Sequence, residues 1–205
     1  MSVRKNAVRD PASGLTLSLE GSWKPLSGSV RFGAKARQGL GVENDLGRLS
    51  PKESDFAVVA NFTTTTVPAG EGYSPNVVQK GRYGTGGQWK MQVHASKKWG
   101  TLAECRFEGD QGSVIVRDGT NTRLDDGSSH VVACWRQGSE LGVTIDGRIT
   151  AIGQNVGDIN PRSGITVGNK SASGGAEDQL DGSISCLVAA IGRNSLDRAL
   201  SRSGC

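Results

Sequence analysis

Gln79-Lys80-Gly81, Gly86-Gly87-Gln88-Trp89-Lys90-Met91-Gln92-Val93, Cys105-Arg106-Phe107, Leu124-Asp125-Asp126-Gly127-Ser128-Ser129-His130, Cys134-Trp135-Arg136, Val143-Thr144-Ile145-Asp146-Gly147 and Ile165-Thr166-Val167-Gly168 follow one another in a single ordered run. Each piece is a short alternating strand or a tight turn. Working outward, Leu15-Thr16-Leu17-Ser18-Leu19-Glu20 alternates strictly, as a strand with one buried face does. Val30-Arg31-Phe32-Gly33 and Leu40-Gly41-Val42 add two short strands, and Phe56-Ala57-Val58-Val59-Ala60-Asn61-Phe62 reads as a core strand. Further strands are expected over 76–80, 89–94, 102–107, 113–117, 130–136, 140–145, 164–167 and 183–191. Strands at this spacing, with turn signals between them, predict two packed antiparallel sheets. Ser195-Leu196-Asp197-Arg198-Ala199-Leu200 is the one helical segment expected, with Ser195 as its N-cap.

Composition agrees. Thirty Gly in 205 residues, with 35% hydrophobic and 5% aromatic side chains, fit an all-β chain rich in turns and half-exposed strands. The length suits one domain. Residues 1–14 are polar and irregular, with Asp10-Pro11 as a stop, and read as an N-terminal arm. The sandwich is expected over 15–193, and 194–205 form a C-terminal segment. The Thr-, Gly- and Pro-rich stretch from Thr63 to Pro75 is a long loop, the kind of place where a sandwich carries binding residues.

The net charge is +4, and Arg4, Lys5, Arg9, Lys97-Lys98, Arg198 and Arg202 are spread along the chain. No basic stripe interleaved with aromatics emerges, so nucleic acid is not an expected partner. There is no apolar run approaching a membrane span, so membrane insertion is not expected either. Met1-Ser2-Val3-Arg4-Lys5-Asn6 does not lead into a signal-peptide apolar core. Either the chain starts natively in the cytosol or a signal has been removed. A native start combined with disulfides would suit a virion component released by lysis.

The order of these segments resembles the laminin-G-like, concanavalin-type jelly roll over residues 28–193. The resemblance implies an all-β, two-sheet antiparallel jelly-roll sandwich, a scaffold used mainly to bind glycans and proteins. Asp126-Gly127-Ser128-Ser129-His130 matches the turn and the His of that family's Asp-Gly-x-Trp-His, with Ser129 in place of the Trp. His130 is therefore expected as a satisfied strand-end residue. Asp146-Gly147 resembles the family's Val-Asp-Gly hairpin, whose mechanics are those of a tight turn. Bacterial relatives typically carry a Cys at each of the positions of Cys105 and Cys134, which implies a bridge between two adjacent antiparallel strands. Cys186 and Cys205 could tie the final segment to a core strand, closing a loop worth roughly 3 kcal/mol. Four reduced, buried thiols remain the other reading of the same spacing.

Many relatives bind calcium at the rim through carboxylates and carbonyls. Gly86-Gly87-Gln88-Trp89, where a first ligand would sit, has no carboxylate. Glu177-Asp178-Gln179-Leu180-Asp181 leaves Asp178 and Asp181 as candidate calcium ligands, or as part of a solvated acidic loop. No other cofactor is expected.

A glucanase of this shape places Glu-x-Asp-x-x-Glu along one strand, so that acid and nucleophile flank the bond. Glu43-Asn44-Asp45 and Glu53-Ser54-Asp55 each lack the third acid. Gln92-Val93-His94 is similar to the Gln-Val-His strand of jelly-roll alginate lyases, and period two puts Gln92 and His94 on one face. That family's Arg-rich strand and its Tyr-Phe-Lys-Ala-Gly strand are absent. The chain is expected to be non-catalytic.

Sugar sites stack rings on aromatic faces and fix them with polar groups. Tyr73, Tyr83 and Trp99 fall in or beside loops and are the candidate ligand contacts, whereas Trp89 and Trp135 sit in strand patterns and read as core. The expected function is a recognition or structural module that works outside the cell. Its partner would be a cell-surface glycan or neighbouring subunits of an assembly. A phage tail or capsid accessory protein is the favoured setting. A secreted bacterial lectin-like domain and a small polysaccharide lyase or glycoside hydrolase are the alternatives.

Overall fold

The computed structural model describes residues 2–4, 7–9, 16–20, 25–26, 28–33, 39–42, 47–64, 74–171 and 178–202. In chain order the strands are β1 (Ser2–Arg4), β2 (Ala7–Arg9), β3 (Thr16–Glu20), β4 (Pro25–Leu26), β5 (Ser29–Phe32), β6 (Gly39–Val42), β7 (Phe56–Thr64) and β8 (Asn76–Gly81). Then follow β9 (Gln88–Ser96), β10 (Gly100–Gly109), β11 (Gly112–Arg117), β12 (Ser129–Gln137), β13 (Glu140–Ile145), β14 (Arg148–Gly153), β15 (Ile165–Val167), β16 (Gly182–Ile191) and the helix α1 (Ser195–Leu200). A nine-stranded sheet runs β1-β2-β3-β6-β15-β8-β9-β10-β11, and a seven-stranded sheet runs β14-β13-β12-β7-β16-β5-β4. Every pairing is antiparallel, so the expected two-sheet sandwich is what forms.

Alternation builds the core. On β7, Phe56, Val58, Ala60 and Phe62 face inward, and on β9 Trp89, Met91 and Val93 meet them together with Ala103, Cys105 and Phe107 of β10. Phe107 meets Phe56 edge-on at 5.9 Å, and the Trp89 ring lies 6.4 Å from Phe56. The alternate β7 residues, Ala57 and Val59, face outward and are covered by Leu196 and Ala199 of α1. Trp135 lies in this second cluster, its indole pressed on Gly142, where a Cβ would fall 2.1 Å from the ring. Its Nε1 donates to Thr144 Oγ1 at 2.9 Å, so a buried indole N–H is satisfied.

Three expectations are corrected. Cys105 and Cys134 are bridged, with Cα atoms 5.6 Å apart, but they do not lie on adjacent strands: β10 belongs to the nine-stranded sheet and β12 to the other. The bridge thus crosses the sandwich, and both side chains are fully buried. Second, the helix cap is Asn194 in a left-handed conformation (φ 56°), not Ser195. Ser195 is already helical, and its hydroxyl is buried with no hydrogen-bond partner among the described residues. Third, the expected irregular arm carries β1 and β2, which pair onto β3. The free edge of β3 presents backbone donors and acceptors to which short segments add. Cys186 is disulfide-bonded, and its expected partner Cys205 lies outside the described residues.

β14 completes the hairpin at Asp146-Gly147, whose positive φ values of 49° and 83° suit a two-residue turn. It is a half-exposed edge strand, so the inward alternation that marks the other strands is weak there.

Replacing both Cys105 and Cys134 by Ala should lower stability by about 3 to 4 kcal/mol, the loop-closure value for 29 residues. Urea denaturation measures this, and a non-reducing peptide map should recover the Cys105–Cys134 pair. A double variant as stable as the parent would show that the bridge is dispensable to the sandwich.

Candidate binding groove

The face of the nine-stranded sheet turned away from the core is polar, because period two sends Gln88, Lys90, Gln92 and His94 opposite to Trp89, Met91 and Val93. The register lines these up with their neighbours. Gln79 of β8 opposes Lys90, Lys90 opposes Arg106, and Arg106 opposes Ile115. One row along, Gln92 opposes Glu104 and Glu104 opposes Arg117. With Ser74, Arg82, Tyr83, Lys170 and Asp178 at the margins, these side chains line a hollow of about 310 Å³.

Five of its groups, Arg82, Lys90, Arg106, Arg117 and Lys170, are cationic, against the carboxylates of Glu104 and Asp178. Glu104 is the hub of the floor. It accepts from Gln92 Nε2 and, at 2.7 Å, from Arg117 Nε, while His94 Nδ1 stands 3.6 Å away. A carboxylate 1% exposed is tolerable only with such partners. Lys90 is also recessed, with Asp178 Oδ2 3.7 Å from its Nζ. Burial pulls its pKa from 10.5 down to about 8, against the upward pull of Asp178 and with Arg106 and Lys170 adding repulsion. Gln88 Oε1 and Arg106 Nε are buried and have no hydrogen-bond partner among the described residues.

Tyr83 lies at one end of this hollow, with the Arg106 guanidinium 5.2 Å from its ring centroid. The Glu108 carboxylate accepts the Gly84 N–H at 2.9 Å, tying the Tyr83 loop to β10. Trp99 lies beyond the other end of β9, between Ser96 and Gly100. The structure therefore separates these two expected contacts instead of clustering them. The third, Tyr73, and most of the Thr63–Pro75 loop lie outside the described residues.

Asp178 turns to Lys90, and the Asp181 carbonyl accepts from Thr64 Oγ1 at 2.6 Å. Among the described residues no group of three or more His, Cys, Asp or Glu side chains is placed to hold a metal ion. His130 is satisfied at its strand end: Nδ1 meets Asp146 Oδ2 at 2.8 Å and Nε2 meets Asp126 Oδ1 at 3.1 Å. Burial disfavours its charge, but the hydrogen bonds to Asp146 and Asp126 outweigh that and raise its pKa.

Sequence reading missed Lys90, Glu104, Arg106 and Arg117. For Lys90 the signal is its place in the polar half of Gln88-Trp89-Lys90-Met91-Gln92-Val93-His94, on the face that Gln92 and His94 share; Glu104, Arg106 and Arg117 join it only through strand register.

No protein-family model and no curated protein matches the chain. Solved structures do. Domains LG4-5 of the mouse laminin α1 chain align at TM-score 0.61 and 13% identity, over 84% of this chain and 44% of that one. The enzymatically active domain of tailspike protein 2 from bacteriophage CBA120 aligns at 0.59 and 13%, over 99% of this chain and 31% of that one. The fold is a laminin-G-like, concanavalin-type jelly roll. The jelly roll also aligns with an alginate lyase from Alteromonas sp. 272 at 0.53 and 13%, over 87% of this chain and 95% of that one. This chain spans less than half the length of the laminin and tailspike chains it matches.

Two outcomes test the electrostatics. Lys90→Met should raise the melting temperature at neutral pH by a few degrees, since it removes a charge that burial penalises; a lower melting temperature would show that the Asp178 pair outweighs burial. For His130, a folded pKa above 6.5 means stabilisation that is full below the unfolded value and lost as pH rises through the folded one. His130→Gln should therefore cost more stability at about pH 6 than at about pH 9 in paired thermal melts.

Proposed function

We propose that this chain is a non-catalytic recognition module whose outer groove binds an acidic glycan. The observation that carries the reading is the excess of cations over carboxylates on a recessed sheet face, with Tyr83 at its margin. Arg106 and Arg117 offer planar forks suited to carboxylate or sulfate groups, and the lysines add point charges. The proposed setting is a virion, in a tail or capsid accessory role in host-surface attachment or assembly, and the likeness to a phage tailspike domain supports it. A secreted bacterial protein is the alternative setting, and buried disulfides suit either. Neighbouring subunits of an assembly are the other partner that such a face could serve.

A second reading is a polysaccharide lyase. Gln92, His94 and Arg117 share the groove floor around Glu104, and the likeness to an alginate lyase spans nearly all of that enzyme. Removing a proton next to a uronate carboxylate requires a base beside a cation that neutralises the acid, and His94 with Arg117 would be the pair to supply them.

One experiment decides between them. Purified protein should bind immobilised polygalacturonate and heparin but not neutral dextran, with affinity falling as salt rises. Binding should also weaken as pH rises through about 8, where Lys90 loses its proton. Arg106→Gln should weaken it about tenfold, the size expected for one charge-assisted hydrogen bond. No ultraviolet-absorbing unsaturated product and no new reducing ends should form. Product formation that His94→Ala abolishes would replace the binding reading with the lyase one, and equal retention by dextran would sink both.

A further inference from the structure

The polar face does not end at His94. Period two continues it to Ser96, and Ser96 lines a second hollow of about 560 Å³ with Trp99, Lys97, Lys98, Asn121 and Arg123. The two hollows share one feature, an aromatic ring beside a cation. At one end the Arg106 guanidinium lies over Tyr83, and at the other Lys98 Nζ lies 4.5 Å from the Trp99 ring centroid. Neither aromatic belongs to the core: Tyr83 is 62% exposed and Trp99 43%. Tyr83 and Trp99 stand at opposite ends of one strand, each beside a cation, where a ligand lying along β9 would meet both rings.

The second hollow is also anchored. The Trp99 backbone N–H donates to Ser96 Oγ at 3.2 Å, which closes the turn between β9 and β10. Arg123 is fixed by Asp125 at 2.6 Å, and Asp125 is buried. A contact surface held this way costs little ordering entropy on binding.

Resting on the acidic-glycan reading above, we infer that the Trp99 hollow is a second subsite and that the ligand is a linear acidic polysaccharide lying along β9 and touching both ends at once. The two hollows adjoin between His94 and Ser96, while the ends of β9 beside which Tyr83 and Trp99 stand are on the order of 26 Å apart at strand rise. Only a chain longer than a disaccharide reaches from the Tyr83 end to the Trp99 end. Joining two weak contacts through one ligand raises affinity by roughly 10²- to 10⁴-fold without any new contact type.

The test is the chain-length dependence of binding, measured by titration calorimetry with a disaccharide, a hexasaccharide and a dodecasaccharide of galacturonate. Affinity should rise by at least about a hundredfold from the shortest to the longest. Trp99→Ala should remove most of that rise, together with any disaccharide binding in its own hollow, while binding in the Arg106 hollow persists, and Lys98→Gln should remove part of the rise. Arg106→Gln should weaken all three. A melting temperature close to the parent's would show that Trp99→Ala folds. If the dodecasaccharide binds no better than the disaccharide, or Trp99→Ala leaves the rise intact, the extended site is wrong while the groove reading stands. If none of the three binds, the groove reading falls and this inference falls with it.

Discussion

Burial of Trp89, Met91 and Val93 against Phe56 and the rest of β7 leaves β9 one rotational choice about its own axis. A shift by one residue would expose all three and drive Lys90 and Gln92 into the inter-sheet core, at a cost of several kcal/mol for each polar group. The core therefore specifies the groove. Gln88, Lys90, Gln92 and His94 point outward because their neighbours cannot. The same constraint on β10 and β11 then brings Arg106 beside Lys90 and Arg117 beside Glu104.

What the core does not set is the electrostatics of that outer face, and here the molecule departs from what stability alone would select. A solvent-facing sheet surface normally carries polar residues that remain wet. In this groove Lys90, Gln92 and Glu104 are nearly as buried as the core, and Lys90 is held there although burial disfavours its charge. Two cations side by side, Lys90 and Arg106, next to a buried carboxylate that Arg117 and Gln92 must anchor, are a costly arrangement for folding. It is a sensible one for fixing side chains before a charged partner arrives, since the groups are already desolvated and oriented.

The fold was largely legible because it depends on local signals. Phe56–Thr64 shows a continuous apolar run, Glu140–Ile145 an alternation within a handful of residues, and Asp146-Gly147 announces its own turn. The groove was not legible because it depends on register. Lys90 and Arg106 are sixteen positions apart in the chain, and nothing local says that they stand side by side. Read one by one, the cations looked scattered. The disulfide shows the same limit: Cys105 and Cys134 each sit in a recognisable strand, but which sheet each strand joins is decided by long-range pairing.

A site built on strands behaves differently from one built on loops. Loops at the rim of a sandwich can change length and composition freely, which is why Tyr73, Tyr83 and Trp99 drew attention as contacts in the sequence. A groove floor made of β8 to β11 cannot drift in that way, because every residue that faces a ligand has a chain neighbour locked in the core. Specificity would then divide between two parts of the molecule. The floor, with Lys90, Glu104, Arg106 and Arg117, would fix the charge and spacing a partner must have, and the aromatics at the two ends of β9 would set how far along the sheet it must extend.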